Sequence, residues 1–210
     1  MSKRRIEKLR QEHGSGGGVG GVSNPFSDGG ETYKGFPHAF WAFTRQPLAT
    51  SISRLPEADE QQALAVFNTI LAYAGLGQNG RYHFQEKNIF LAVLSSNLFL
   101  GDTVKRAEDE HISLMQTILE RCMRKDPLLN ELYLQLMKQT TDHPDPNSRV
   151  NLRHWALLAL SCSVVLPPSR PIRRLLAAHV KRCAADFVTE EGKYARFAEK
   201  VIKLLSIGIS

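Results

Sequence analysis

The stretch Asp126–Arg182 limits what this chain can fold into more than any other part of it. Its residues, DPLLNELYLQLMKQTTDHPDPNSRVNLRHWALLALSCSVVLPPSRPIRRLLAAHVKR, read as three consecutive helices separated by proline-marked turns. Asp126-Pro127 is a helix start. Asp can cap free N–H groups, and Pro fits the first helical position, where a missing N–H costs nothing. Leu129, Leu132, Tyr133 and Leu136 then follow the i, i+3, i+4, i+7 spacing of one buried face. The second helix, Val150–Leu166, is apolar on nearly all sides from Trp155 onward, the pattern of a helix at the centre of a helical domain. It predicts that Trp155, Leu158 and Leu166 are buried. Pro167-Pro168 ends this helix, and Ser169 can cap the third.

The third helix divides into two faces. At about 100° per residue, Ile172, Leu175, Leu176, His179 and Cys183 fall on one side, and Arg170, Arg173, Arg174 and Lys181 fall opposite. Between Arg149 and Arg182 there is no Asp or Glu, whereas Arg149, Arg153, Arg170, Arg173, Arg174, Lys181 and Arg182 are all basic. The segment therefore describes a packed module with a cationic surface rather than a cleft built for catalysis.

The rest of the chain extends the helical pattern. Pro56 with Glu57 and Glu60 starts a helix whose apolar stripe is Phe67, Ile70, Leu71 and Ala74, with Gly75 as its stop. A shorter helix is expected over Leu48–Arg54. Two further stripes are Ile112, Met115, Leu119, Cys122 and Tyr194, Phe197, Ala198, Val201. No Val/Ile/Thr run alternates as a strand would, so the class is all-α, a single compact helical bundle over residues 36–205. Residues 1–12 form a charged tract, and 13–35 are rich in Gly, Ser and Asp without helical periodicity. The whole of 1–35 reads as a largely disordered linker. The 210 residues, 42% of them hydrophobic, suffice for one core.

Several patterns invite a chemical reading and lose most of it on inspection. Gly16, Gly18 and Gly21 fit G-x-G-x-x-G, but no strand precedes them and no helix follows. His179 and Cys183 have the spacing of a metal pair without a second pair, and read as core residues. Cys162 and His154 lack an orienting group for nucleophilic catalysis. Asp142, His143 and Asp145 lie in a Pro-rich turn expected to be a solvated helix connection. Trp41 and Phe43 near Arg45 read as core and cap rather than a base-stacking platform. No catalytic residue, metal site or cofactor is expected. Cys122, Cys162 and Cys183 sit within helical patterns, as reduced thiols do in the cytosol. Asn24-Pro25-Phe26 is similar to the tripeptide ligand of EH domains, against the alternative of a turn with an apolar anchor.

These residues also carry a family resemblance. ELYLQLMKQTT, then HWALLAL, then VVLPPSRPI resemble the core of a myosin tail homology 4 domain. FWAFTRQPLATSI followed by ALAVFNTILAYAG is similar to that family's opening, and KYARFAEK to its closing helix. ELYLQLMKQTT together with EGKYARFAEK most resembles the pleckstrin-homology-domain-containing family H. The segment Arg81–Arg106 and the tail SIGIS depart from the family pattern. The resemblance implies a non-catalytic interaction domain that normally works with an adjacent FERM domain, which this chain does not contain.

A net charge of +6 suits an acidic partner. The reading is a cytoplasmic, cytoskeleton-associated domain that binds microtubules or another cytoskeletal or cargo protein through Arg149, Arg153, Arg170, Arg173, Arg174, Lys181 and Arg182. Nucleic acid is not expected as a partner. An anionic membrane surface met by the same residues is the alternative, as is an endocytic role for Asn24-Pro25-Phe26.

Overall fold

A computed structural model of the chain describes residues 38–76 and 100–207. Within them a short 3-10 turn, His38–Trp41, leads into an irregular segment through Pro56. Six helices follow: α1 (Glu57–Tyr73), α2 (Leu100–Met123), α3 (Asp126–Gln139), α4 (Arg149–Val164), α5 (Arg170–Ala184) and α6 (Glu190–Ile207). The all-α expectation holds. The reading of 1–35 and of Asn24-Pro25-Phe26 falls outside the described residues, and so does most of the atypical segment. Its last residues, from Leu100, are the first turns of α2.

The helix boundaries follow local chemistry. Glu57, Asp59 and Glu60 stand in the first turn of α1, where carboxylates meet the positive end of the helix dipole. The helix ends in a Schellman motif: Gly75 N–H donates to Ala72 O, and Leu76 N–H donates to Leu71 O. Gly75 takes the left-handed φ of +87° that this motif requires. Ser148 caps α4 by accepting from Asn151 N at 3.2 Å. Asp126 is the first residue of α3 rather than its cap; Lys125 holds that position without a side-chain bond.

Helix α3, not α4, lies at the centre. From Leu128 to Gln139 every α3 residue except Asn130 is buried, including Glu131, Gln135, Lys138 and Gln139. Helix α4 buries Trp155, Leu157 and Leu158, but Leu160 and Val164 are exposed, and Leu166 beyond it is only half-buried. The apolar character of α4 therefore overstates its enclosure.

The buried polar side chains of α3 hold the irregular N-terminal segment in place. Glu131 accepts from Ile52 N at 2.8 Å, from Ser53 N at 2.6 Å and from Ser53 Oγ. Gln139 meets Thr44 through both amide atoms, accepting from Thr44 N at 3.1 Å and donating to Thr44 O at 3.0 Å. Lys138 Nζ donates to Phe40 O and to Ala42 O, and stands over the Phe40 ring. Thr141 O accepts from Phe43 N. These bonds explain why the helix expected over Leu48–Arg54 does not form. The N–H groups of Ser51, Ile52 and Ser53 are taken by Glu60 and Glu131, so no helical ladder competes for them.

Burial moves the charges on α3 toward neutrality. The Glu131 carboxyl is raised by desolvation, opposed by the hydrogen bonds from Ser53, Ile52 and Gln135. The Lys138 ammonium is lowered to about 8 by the same cause.

Two substitutions test this core. Glu131→Ala leaves the Ile52 and Ser53 amides without an acceptor and should cost about 3 kcal/mol or more by urea denaturation. Trp155→Ala should cost about 3–5 kcal/mol. A loss well below 1 kcal/mol for either would remove that residue from the core account.

Candidate partner-binding surface

Helix α5 carries the cationic face, and its placement is set from below by α3 and α4. The Tyr133 hydroxyl donates to Val165 O and ties down the linker that enters α5. Asn130 Oδ1 accepts from Ser169 N at 3.0 Å at the helix start. Ser169 occupies the cap position as expected, although its side chain makes no capping bond. Ile172, Leu175, Leu176, His179 and Val180 are buried, and Cys183 is half-buried.

His179 is the polar anchor of this face. Its ring stacks on Trp155, with centroids 5.4 Å apart and planes 3° from parallel. Nε2 lies 2.8 Å from Thr140 Oγ1, and Nδ1 lies 3.2 Å from Arg182 Nη2. A guanidinium can only donate, so Nδ1 is the acceptor and Nε2–H donates to Thr140. The Thr140 hydroxyl passes its own proton to Leu136 O at 2.9 Å. Burial first, and the Arg182 charge second, push the His179 pKa down to about 3, so the ring is neutral. The His179–Cys183 spacing thus marks a packed face. Among the described residues no group of three or more His, Cys, Asp or Glu could hold a metal ion.

The basic residues named from the sequence separate into two groups. Arg170, Arg174 and Lys181 are exposed on one face of α5, with Ala177 and Ala178 between them. Among the described residues no carboxylate forms an ion pair with any of the three. Arg173, expected on this face, is half-buried, because it lies toward the edge of the helix rather than its crest. Arg182 is exposed but points its Nη2 at His179. Arg149 and Arg153 belong to α4, where they border an open cavity of about 330 Å³ lined also by Asn147, Leu152, Ala156 and Tyr194.

The other sequence candidates are packed into the fold. Trp41 is fully buried, and Phe43 packs on His143 at 4.1 Å and on His154 at 5.9 Å. The turn Asp142–Asp145 is not simply solvated: His143 is buried against Phe43, its Nδ1 accepts from Asp145 N, and Asp142 adopts a φ of +49°. Desolvation, with the His143 charge second, pushes His154 down to about 3. Burial pushes the Cys162 thiol up to about 12, away from the thiolate a nucleophile needs. Sequence reasoning missed Lys138 and Arg196. Arg196 donates to Asp186 O and Ala184 O and so clamps the α5–α6 loop. In the first turn of α6 a Cβ on Gly192 would lie 1.9 Å from Asp186 O of that loop, so only glycine fits.

The model of the MyTH4 (myosin tail homology 4) domain family matches residues 115–207. The Kinesin-like protein KIN-14E of Arabidopsis thaliana is 24% identical over 70% of this chain, and the high molecular weight form of myosin-1 of Acanthamoeba castellanii is 25% identical over 75%. The chain spans only 10% of the first and 7% of the second. The Dictyostelium discoideum myosin VII MyTH4-FERM MF1 domain has the same fold. Its TM-score is 0.60 at 20% identity, over 80% of this chain and 29% of that one. The MF2 domain of that myosin aligns over 95% of this chain and 32% of its own, with a TM-score of 0.56 at 13% identity. The family model covers less than half of this chain, and the solved structures show a likeness of fold. The narrower resemblance to family H gains no support from these relatives.

The buried histidines His154 and His179 give the fold an acid dependence. A histidine with an ordinary pKa of about 6.5 when unfolded and about 3 when folded takes up its proton preferentially in the unfolded chain. Stability is therefore fully present above about pH 6.5 and is lost progressively as pH falls toward 3. Replacing His154 with Phe should flatten the slope of unfolding free energy against pH over this window. A slope identical to wild type would contradict the assignment.

Proposed function

We propose that this chain carries a MyTH4 domain, a non-catalytic interaction module that binds an acidic cytoskeletal partner, with microtubules the leading candidate, through the exposed face of α5. The observation that carries this reading is the cluster of Arg170, Arg174 and Lys181 on one exposed face, within a stretch that has no acidic residue. Long-range attraction would bring an acidic surface to this face, and exposed ion pairs, each weak, would hold it in number. Kinesin-like and myosin relatives support a motor-associated, cytoskeletal setting. The MyTH4-FERM architecture of the related myosin VII structures supports a FERM domain as the normal neighbour. ELYLQLMKQTT and EGKYARFAEK motivate membership of the pleckstrin-homology-domain-containing family H as a further part of the proposal.

In this account Arg170, Arg174 and Lys181 make the contact. Arg173 and Arg182 contribute charge from the flank, while Arg149 and Arg153 act from α4. The test is co-sedimentation with microtubules and with anionic vesicles at rising salt. Combined Arg170→Glu, Arg174→Glu and Lys181→Glu should abolish salt-sensitive binding and leave thermal stability nearly unchanged, because exposed charges contribute little to folding. Pelleting with vesicles but not microtubules would assign the same face to a membrane. Microtubule binding that survives charge reversal would place the contact elsewhere.

A further inference from the structure

One hydroxyl borders the cationic face. Between Ser163 and Thr189 the chain has a single serine, threonine or tyrosine, Ser169. It stands at the entrance to α5, directly before Arg170 and close before Arg173 and Arg174.

The linker from α4 displays this residue in extended chain. Val165 has a φ of −159° and Ser169 a φ of −69°, both with extended ψ, and Pro167-Pro168 between them cannot turn helical in place. Tyr133 holds Val165 O, and Asn130 holds Ser169 N, so the main chain is anchored at both ends. The Ser169 side chain takes no part in this. It makes no capping bond, its hydroxyl has no partner among the described residues, and the half-buried residue does not enclose it. The fold uses the backbone of Ser169 and leaves its hydroxyl to the outside.

Arg173 is the second observation. Its N–H donates to Ser169 O at 2.9 Å, so it sits one helical turn beyond Ser169 on the same side of the chain. It is half-buried at the helix edge, yet among the described residues no carboxylate pairs with it, nor with Arg170 or Arg174. Three guanidiniums without an anion therefore follow, within about one and a half turns, a hydroxyl without a bond. A phosphate group suits this arrangement. It carries a charge of about −1.5 to −2 and three acceptor oxygens, and guanidinium forks bind such oxygens in pairs.

We propose that Ser169 is a phosphorylation site whose phosphate is held by Arg173 and Arg170 and switches off the α5 face. The switching rests on the binding role proposed above for that face; the phosphate contact does not. In the transfer, the terminal phosphoryl group of ATP passes to Ser169 Oγ. The bond to the departing ADP breaks, and the hydroxyl proton goes to the carboxylate base of a protein kinase. The outer side of α5 carries four positive charges, on Arg170, Arg173, Arg174 and Lys181. A phosphate at its start cuts their sum by roughly half, and with it the attraction for an acidic surface.

The experiment compares the full chain with and without genetically encoded phosphoserine at Ser169. Phosphorus NMR follows the titration of the phosphate, and co-sedimentation at low salt follows binding to microtubules. The second phosphate pKa should fall about one unit below its usual value near 6, and Arg173→Gln should return it toward that value. The phosphorylated chain should bind microtubules about tenfold or more weakly. Ser169→Ala should change neither binding nor Tm. Incubation of the full chain with ATP and a cytosolic kinase fraction should place phosphate on Ser169 by mass spectrometry. A phosphate that titrates as in a free peptide and ignores Arg173→Gln would overturn the contact. Phosphate found only on other residues would overturn the site. Equal binding by both forms would overturn the switch and leave the function standing. If the unmodified chain does not bind microtubules, the function and the switch both fall, and the titration still decides the phosphate contact.

Discussion

Helix α3 has almost no solvent face, so the polar side chains along it have to find partners inside the protein. That constraint shapes much of what surrounds it. Glu131, Lys138 and Gln139 reach outward to backbone groups of the segment Phe40–Ser53, most of which is irregular. Gln135 donates to Ala63 O of α1 and to Glu131. Tyr133, Asn130 and Thr140 reach the other way, to the α4–α5 linker, the start of α5 and His179. One helix therefore supplies the hydrogen-bonding complement of the N-terminal segment and of α5. A buried polar network of this kind fixes a unique arrangement when its members are satisfied and is destabilising when a partner is removed.

The cationic surface inherits its geometry from this network. Helix α5 is fixed in rotation by Ile172, Leu176 and Val180 and by the His179 stack on Trp155, so the opposite residues, Arg170, Arg174 and Lys181, must face water. Among the described residues no carboxylate pairs with them, and all three are exposed. That combination contributes little to folding and much to long-range attraction of an acidic surface. The same logic separates Arg182 from the group. It has charge to offer, but its guanidinium also caps the buried imidazole, which links surface and core at one residue.

Much of this was legible in the sequence where local chemistry decides. The start of α1 at Pro56, its stop at Gly75, the two-faced character of α5 and the proline break between α4 and α5 all follow from residue type and spacing. What could not be read is what tertiary contacts decide. The letters of ELYLQLMKQTT include enough polar residues to look like a half-exposed helix, and only the arrival of Phe40–Ser53 encloses them. That same segment looks helical over Leu48–Arg54 until Glu60 and Glu131 claim its amides. Helix α4 shows the opposite error, its apolar residues exceeding what the core covers. On α6 the buried positions are Ala195, Ala198 and Ile202, and Phe197 is left exposed against the pattern of hydrophobic spacing. The angular grouping of the α5 basic residues was readable. The half-burial of Arg173 was not, because it depends on neighbours that the helix wheel does not contain.

The central functional claim is that an exposed, one-signed helix face recognises acidic polypeptide on the cytoskeleton by Coulomb attraction. It is tested most directly by comparing the affinity of the unaltered chain for intact microtubules with that for microtubules whose acidic C-terminal tails have been removed by limited proteolysis. The comparison is made at one ionic strength, near the physiological value at which the screening length is about 8 Å. The account predicts a large loss of affinity on tail removal, matching the loss produced by raising salt on intact filaments. Equal affinity for intact and trimmed filaments would contradict it.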